Sequence, residues 1–163
     1  MISVFLDFDG VLNGSGTYRR WRAAGGDLVR NRNHRLDLLF EPRCVAAANL
    51  LIRLLGDPAV VLSTSWREEH PRQDLAALLA SVGFGGRVVG ATPIRDDGRG
   101  AEIVEYCVER GIDTEDILII EDEEDVSPLR HRQIMTTFRG PRPGLGGRHV
   151  RAAIRLLTKN TTN

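Results

Sequence analysis

The chain has 163 residues with 22 basic and 22 acidic side chains, so its formal charge at neutral pH is zero. That length suits one domain with a true core and is too short for two ordinary ones. Balanced charge excludes a global field that would draw the protein to nucleic acid or a membrane, and no apolar run approaches the length of a membrane span.

A strand with an acidic end starts almost at the first residue, so no signal peptide is expected, and the protein is expected to be cytoplasmic. Cys44 and Cys107 fall in predicted helices and read as small buried hydrophobes in a reducing compartment. Lys159 is the one lysine, which leaves arginine as the long cation for any site inside the fold.

The first element is an apolar run from Ile2 to Phe8, rich in β-branched and aromatic residues, which predicts a buried strand. Asp7 and Asp9 fall at its C-terminal end, where open α/β sheets bind ligands. Regular continuation of the strand would point both to one face. Gly10 permits a sharp turn beside them. Two carboxylates that close repel each other unless a cation or a shared proton intervenes. Mg²⁺ answers that need with its preference for hard oxygen ligands. One carboxylate is then placed to attack phosphorus and the other to handle a proton.

A polar, glycine-rich stretch follows, roughly residues 14–41, with Arg19, Arg20, Arg22, Arg30, Arg32 and Arg35 around Tyr18 and Trp21. It reads either as a solvated excursion or as a flap that brings positive charge, and aromatic faces for bases, to a phosphorylated ligand. Pro42 opens a helix that Gly56 ends, with Cys44, Ala48, Leu51, Ile52 and Leu55 at helical spacing. The second strand, 59–62, runs into Ser63, Thr64, Ser65, Trp66 and Arg67. Trp66 reads as a packing residue at a helix start. Arg67 reads equally as a phosphate ligand or as an exposed side chain.

Leu75, Leu78, Leu79 and Val82 form the stripe of the next helix, and 87–89 is a third strand. A loop over 91–100, carrying Arg95, Asp96, Asp97 and Arg99, leads into a helix with Ile103, Tyr106 and Cys107 on one face. The fourth strand, 117–120, meets a run of acids from Glu121 to Asp125. Five acids in a row repel one another, so this run is either a solvated turn or a cation site. A short fifth strand at 133–138, a Gly/Pro-rich loop at 140–147 and a helix carrying Val150, Ala153, Ile154 and Leu157 complete the domain, 1–158. Residues 159–163 read as a polar tail. Alternation of strands and helices gives an α/β fold, a parallel sheet with helices on both faces.

The run Asp7-Phe8-Asp9-Gly10-Val11-Leu12 resembles the first motif of the haloacid dehalogenase (HAD) superfamily, most of whose members are Mg²⁺-dependent phosphotransferases. Later segments match in order. Thr64, with Ser65 as a second donor, resembles the second motif, which hydrogen-bonds the phosphoryl group. Arg99 stands where the third motif usually has lysine, with Arg95 as reserve. Arginine grips phosphate with a planar fork, but not with the reach of a lysine point charge. The acidic run resembles the fourth motif, with Asp122 as the Mg²⁺ ligand and Asp125 as a further, water-mediated one. Glu121 stands where Asp or Gly is common.

The resemblance implies a three-layer Rossmann-like HAD fold of about five strands, order 5-4-1-2-3, without a large cap. It implies Asp7 as nucleophile and Asp9 as general acid/base, with Thr64 and Arg99 completing the catalytic set. Gly10, Ser65 and Arg67 are the expected substrate contacts. Mg²⁺ is expected on Asp7, Asp9, Asp122 and Asp125. Arg99-Gly100-x-Glu102-Ile103, the acidic run and Gly144-Leu145 look like the small HAD domains associated with RNA-repair proteins. The expected partner is a phosphorylated small molecule or a nucleic-acid end, handled by a phosphohydrolase. The alternative is a degenerate HAD domain that only binds. A receiver-like signalling domain fits less well, because the lysine it needs after its last strand is missing.

Overall fold

The computed structural model describes residues 2–26 and 35–159. Five strands form one parallel sheet: β1 (Ser3–Leu6), β2 (Ala59–Leu62), β3 (Arg87–Ala91), β4 (Ile117–Glu121) and β5 (Gln133–Met135). Their order is β3-β2-β1-β4-β5, the expected one read from the other edge. The helices are α1 (Ser15–Ala23), α2 (Pro42–Leu54), α3 (Arg72–Ser81), α4 (Arg99–Arg110) and α5 (Gly147–Lys159).

Period-two alternation divides the core. Val4, Leu6, Val60, Leu62, Leu118 and Ile120 join the apolar stripes of α2, α3 and α5 on one side. Phe5, Val61, Ile117 and Ile119 meet Ile103, Tyr106 and Cys107 of α4 on the other. The central strands β1 and β4 are buried along their whole length, which is why they read as continuous apolar runs rather than alternating ones. Both cysteines are free and buried, and burial raises both thiols above their ordinary range. No helix among the described residues is long and apolar enough to cross a membrane.

Three boundaries differ from the sequence reading. β1 stops at Leu6 instead of Phe8, because Val11 and Leu12 N–H both turn back to Phe8 O. β3 runs on to Ala91, past an irregularity in its pairing with β2 between Val60 and Val61. β5 ends at Met135, and Thr137 and Phe138 belong to the loop that follows.

The polar stretch after β1 contains regular structure. Ser15–Ala23 is helical and anchored by buried Thr17 and Trp21. Leu36–Leu39 forms a 3-10 turn. Arg30 and Arg32 lie outside the described residues.

The sheet's hydrogen bonding continues one residue past its strands at the carboxyl edge. Asp7 N–H donates to Ile120 O at 3.1 Å, Ser63 N–H to Leu6 O at 3.0 Å, and Thr136 N–H to Glu121 O at 3.0 Å. This extension holds the first residues of three loops side by side, and it is what brings Asp7 between the ends of β2 and β4.

Candidate active site

Asp7 occupies the centre of that edge and is buried. Burial pushes its carboxyl up to about 7, against the opposing charge of Arg99 and a hydrogen bond from Thr64. Next to it, Glu121 is 1 % exposed. Burial and the neighbouring Asp7 charge push Glu121 up to about 9. Burial also raises Asp122. Asp7, Glu121 and Asp122 each present a carboxylate oxygen within 4.8 Å of the other two. Three carboxyls at that range hold protons or a cation, since close like charges disfavour full ionisation. Glu121 turns back on its own loop, its Oε1 accepting from the N–H groups of Asp122 (2.9 Å) and Glu123 (3.3 Å).

Arg99 enters from the first turn of α4. Its Nε lies 3.3 Å from Glu121 Oε2 and its Nη1 3.8 Å from Glu102 Oε2. Arg99 Nε and Glu121 Oε2 are both buried and neither makes a hydrogen bond. They face each other as an ion pair without hydrogen-bond geometry; buried polar atoms short of hydrogen bonds are costly, so this corner of the site suits an additional oxygen-rich ligand or a cation.

Asp9 has a separate set of contacts. Its Oδ1 accepts from Asn13 Nδ2 and Tyr18 Oη, both at 2.9 Å, and its Oδ2 accepts from Trp66 Nε1 at 2.9 Å. The turn after Leu6 therefore gives the two aspartates different surroundings, where regular alternation would have given them one. Trp66 also packs edge-on against Phe8 and Phe40, so it is both packing residue and donor. Gly10 follows at φ 71°, and a methyl group there would lie 2.2 Å from the Asp122 carboxylate carbon. Only a residue without a side chain permits this approach of the two loops.

The other expected residues divide. Thr64 is buried beside Asp7, and its hydroxyl accepts from Trp66 N–H at 3.4 Å. Ser65 is exposed and lines the cavity beside Asp9. Arg67 is turned inward. It donates to the carbonyls of Thr64, Thr92 and Pro93 and forms a buried ion pair with Glu102. Its contacts bind the loops after β2 and β3 to α4. Asp125 accepts from Arg99 N–H at 3.2 Å and its carbonyl from Gly100 N–H at 3.0 Å. It thus caps α4, and like Asp9 it lies outside the carboxylate triplet. Arg95 pairs with Glu105 on the surface.

Asn13, Glu102 and Glu121 gained no role from their residue types, and Tyr18 reads from the sequence as an aromatic face for bases rather than as a donor to Asp9. Asn13 sits one turn after Asp9 in the same motif, and Glu121 heads the acidic run. Those positions were the available signals.

No curated protein and no solved structure gives a significant match. A family profile described as "HAD domain in Swiss Army Knife RNA repair proteins" matches residues 3–143. That span includes the Asp7 turn, Thr64, Arg99 and the acidic loop, and it covers most of the chain. The protein therefore belongs to the family of HAD domains found in Swiss Army Knife RNA repair proteins.

Proposed function

We propose that this domain is a Mg²⁺-dependent phosphohydrolase that cleaves a phosphate monoester through an aspartyl phosphate on Asp7. The observation that carries this reading is the buried Asp7 carboxylate, set between the Arg99 guanidinium and the carboxyls of Glu121 and Asp122. The donor set fits Mg²⁺: it is all oxygen, and it includes Glu121 Oε2, which is buried, accepts no hydrogen bond and is met only by the Arg99 charge. Asp7, Glu121 and Asp122 would hold the ion, which when bound supplies positive charge against the phosphoryl oxygens.

The chain's own residues account for the remaining chemistry. An Asp7 oxygen forms a bond to phosphorus as the bond to the leaving oxygen breaks. The Thr64 hydroxyl and the Arg99 fork bind the equatorial oxygens and stabilise the charge that develops there. Asp9 supplies the proton that the leaving alcohol takes up. It then accepts a proton from the water that attacks the aspartyl phosphate, so free Asp7 and inorganic phosphate are regenerated. Asn13, Tyr18 and Trp66 hold the Asp9 carboxylate in one orientation for both steps. The substrate class is a nucleotide or a polynucleotide end.

A panel of nucleotides, sugar phosphates and 3′- or 5′-phosphorylated oligonucleotides, assayed for phosphate release with Mg²⁺ and with EDTA, tests the proposal. Mg²⁺-dependent release from at least one class is expected. Saturable binding without release from any of them would favour the binding-only domain.

A further inference from the structure

Two depressions flank the Asp9–Tyr18 pair, and they differ in charge. The first, about 250 Å³, is lined by Ser65, Trp66, Leu36 and Leu39 together with the acids Glu68 and Glu69. The second lies on the other side of Tyr18. There, a 280 Å³ hollow over Asp9, Asp122 and Glu123 shares Tyr18 and Phe138 with a 550 Å³ groove. That groove is lined by Ser15, Tyr18, Arg19, Arg22, Phe138 and Arg139. Its arginines are exposed, and none of the three makes an ion pair among the described residues. Other arginines of the same region are neutralised: Arg20 pairs with Glu41 and Arg35 with Asp37.

The groove is also a built feature. Ser15 N–H donates to Phe138 O at 2.9 Å, and Gly14 packs so closely on Pro143 that a methyl group there would lie 2.5 Å from its Cβ. The start of α1 and the loop after β5 are thereby held together as its two walls. Tyr18 and Phe138 stack edge-on with ring centres 5.7 Å apart. Trp21, the other aromatic of α1, is buried and offers no face to a ligand.

We infer that this groove is a second binding site, for the phosphodiester backbone of a single-stranded polynucleotide whose terminal phosphate lies at Asp7. The inference rests on the phosphohydrolase reading for what happens at Asp7, but the groove's charge and shape do not depend on it. Guanidiniums free of ion pairs among the described residues, beside the half-buried rings of Tyr18 and Phe138, are the elements by which proteins hold single strands. An open groove of about 550 Å³ has room for a ligand of nucleotide size. The depression beside Ser65 offers a polyanion Glu68, Glu69 and His70 but no guanidinium, so the strand is assigned to the arginine side, whose inner end meets the acids Asp9, Asp122 and Glu123 of the site itself. A chain neutral overall thus concentrates positive charge where the strand passes.

The test is fluorescence anisotropy in EDTA, which prevents turnover, with a labelled single strand of about 12 nucleotides carrying a terminal phosphate. Its length covers one site of ordinary size. The triple variant Arg19→Ala/Arg22→Ala/Arg139→Ala should weaken binding tenfold or more. It should also flatten the slope of log K against log salt by about 2, at about 0.7 for each of three phosphates. Phe138→Leu keeps an apolar plug beside Tyr18 but removes the flat face, and should weaken binding by roughly tenfold. Under Mg²⁺, the ratio of kcat/KM for the phosphorylated strand to that for a small aryl phosphate should fall in both variants. A second triple variant, Arg53→Ala/Arg87→Ala/Arg155→Ala, removes the same charge from exposed positions outside the groove.

Unchanged strand binding in the groove variants would overturn the inference. So would an equal loss in the distant variant, or a phosphoserine peptide that binds as tightly and with the same dependence on Arg139. Because the anisotropy readouts are binding constants measured in EDTA, absence of turnover would count against the phosphohydrolase reading and leave the binding result intact.

Discussion

Gly100 is where the geometry of the site is most open to perturbation from outside it. The residue follows Arg99 in the first turn of α4, and the helix start lies directly on the loop after β4. A methyl group on Gly100 would be 2.0 Å from Ser127 O and 2.7 Å from the Val126 carbonyl carbon. Both are backbone atoms, so no side-chain rotation relieves the clash. Ordinary carbon–oxygen contacts begin near 3.3 Å, and the helix start must therefore retreat by roughly 1.3 Å. Overpacking of this kind costs roughly 1–3 kcal/mol. At about 2–4 °C per kcal/mol for a domain of this size, Gly100→Ala should lower Tm by about 2–12 °C. Arg99 moves with the helix, and a misplacement near 1 Å costs about 10²-fold in rate. The assay is a thermal melt by circular dichroism together with kcat/KM on a small aryl phosphate. Gly146→Ala is the control, since a methyl group there meets nothing within 4 Å. Unchanged Tm and unchanged kcat/KM in Gly100→Ala would refute the claim that this contact positions Arg99.

Three further outcomes are expected. Asp122→Ala should weaken Mg²⁺ binding in a calorimetric titration far more than Asp125→Ala, because Asp125 caps α4 outside the carboxylate triplet; equal losses would contradict that division. Glu102→Ala leaves Arg67 buried without its carboxylate. It should cost roughly 3–5 kcal/mol in urea unfolding, and a loss below about 1 kcal/mol would show that the pair holds nothing together. Asp7 and Glu121 have folded-state values above their ordinary 3.8 and 4.5, at about 7 and about 9. The folded chain thus binds more protons than the unfolded one across that window, and stability falls as pH rises. In EDTA, the contribution of these two groups is full below pH 4 and lost as pH passes 7 and then 9. Glu121→Gln should flatten the upper part of the profile, and a profile that rises between pH 6 and 9 in the wild type but not in Glu121→Gln would have the sign wrong.

The sheet was legible in the sequence because β1, β2 and β4 are short apolar runs between clear helix stripes. The order of motifs along the chain is enough to place Asp7, Thr64, Arg99 and Asp122 at one edge of the sheet. The environment of each side chain was not legible. Arg67 stands three residues after Thr64 in sequence, yet its partners Glu102, Thr92 and Pro93 are set by how α4 docks on the sheet. The separate surroundings of Asp7 and Asp9 depend on the strand ending at Leu6, a matter of one turn. Tyr18 reaches Asp9 only because the arginine-rich stretch coils into α1, and a glycine-rich polar segment gives little periodic signal for a helix. Arg139, which shares the groove with Arg19 and Arg22, is brought there by the loop after β5, a pairing across more than a hundred residues that local pattern does not encode.

The proposed nucleophile, Asp7, is open to direct chemical trapping. Asp9→Asn should slow hydrolysis of the aspartyl phosphate and let it accumulate, since the base that activates water is gone. This variant is mixed with an aryl phosphate and Mg²⁺, quenched in acid, and digested for mass spectrometry. A phosphoryl group on the peptide that contains Asp7, absent from the Asp7→Asn/Asp9→Asn double variant, is the expected result. Phosphorylation elsewhere, or wild-type turnover that persists in Asp7→Asn, would rule out Asp7 as the nucleophile.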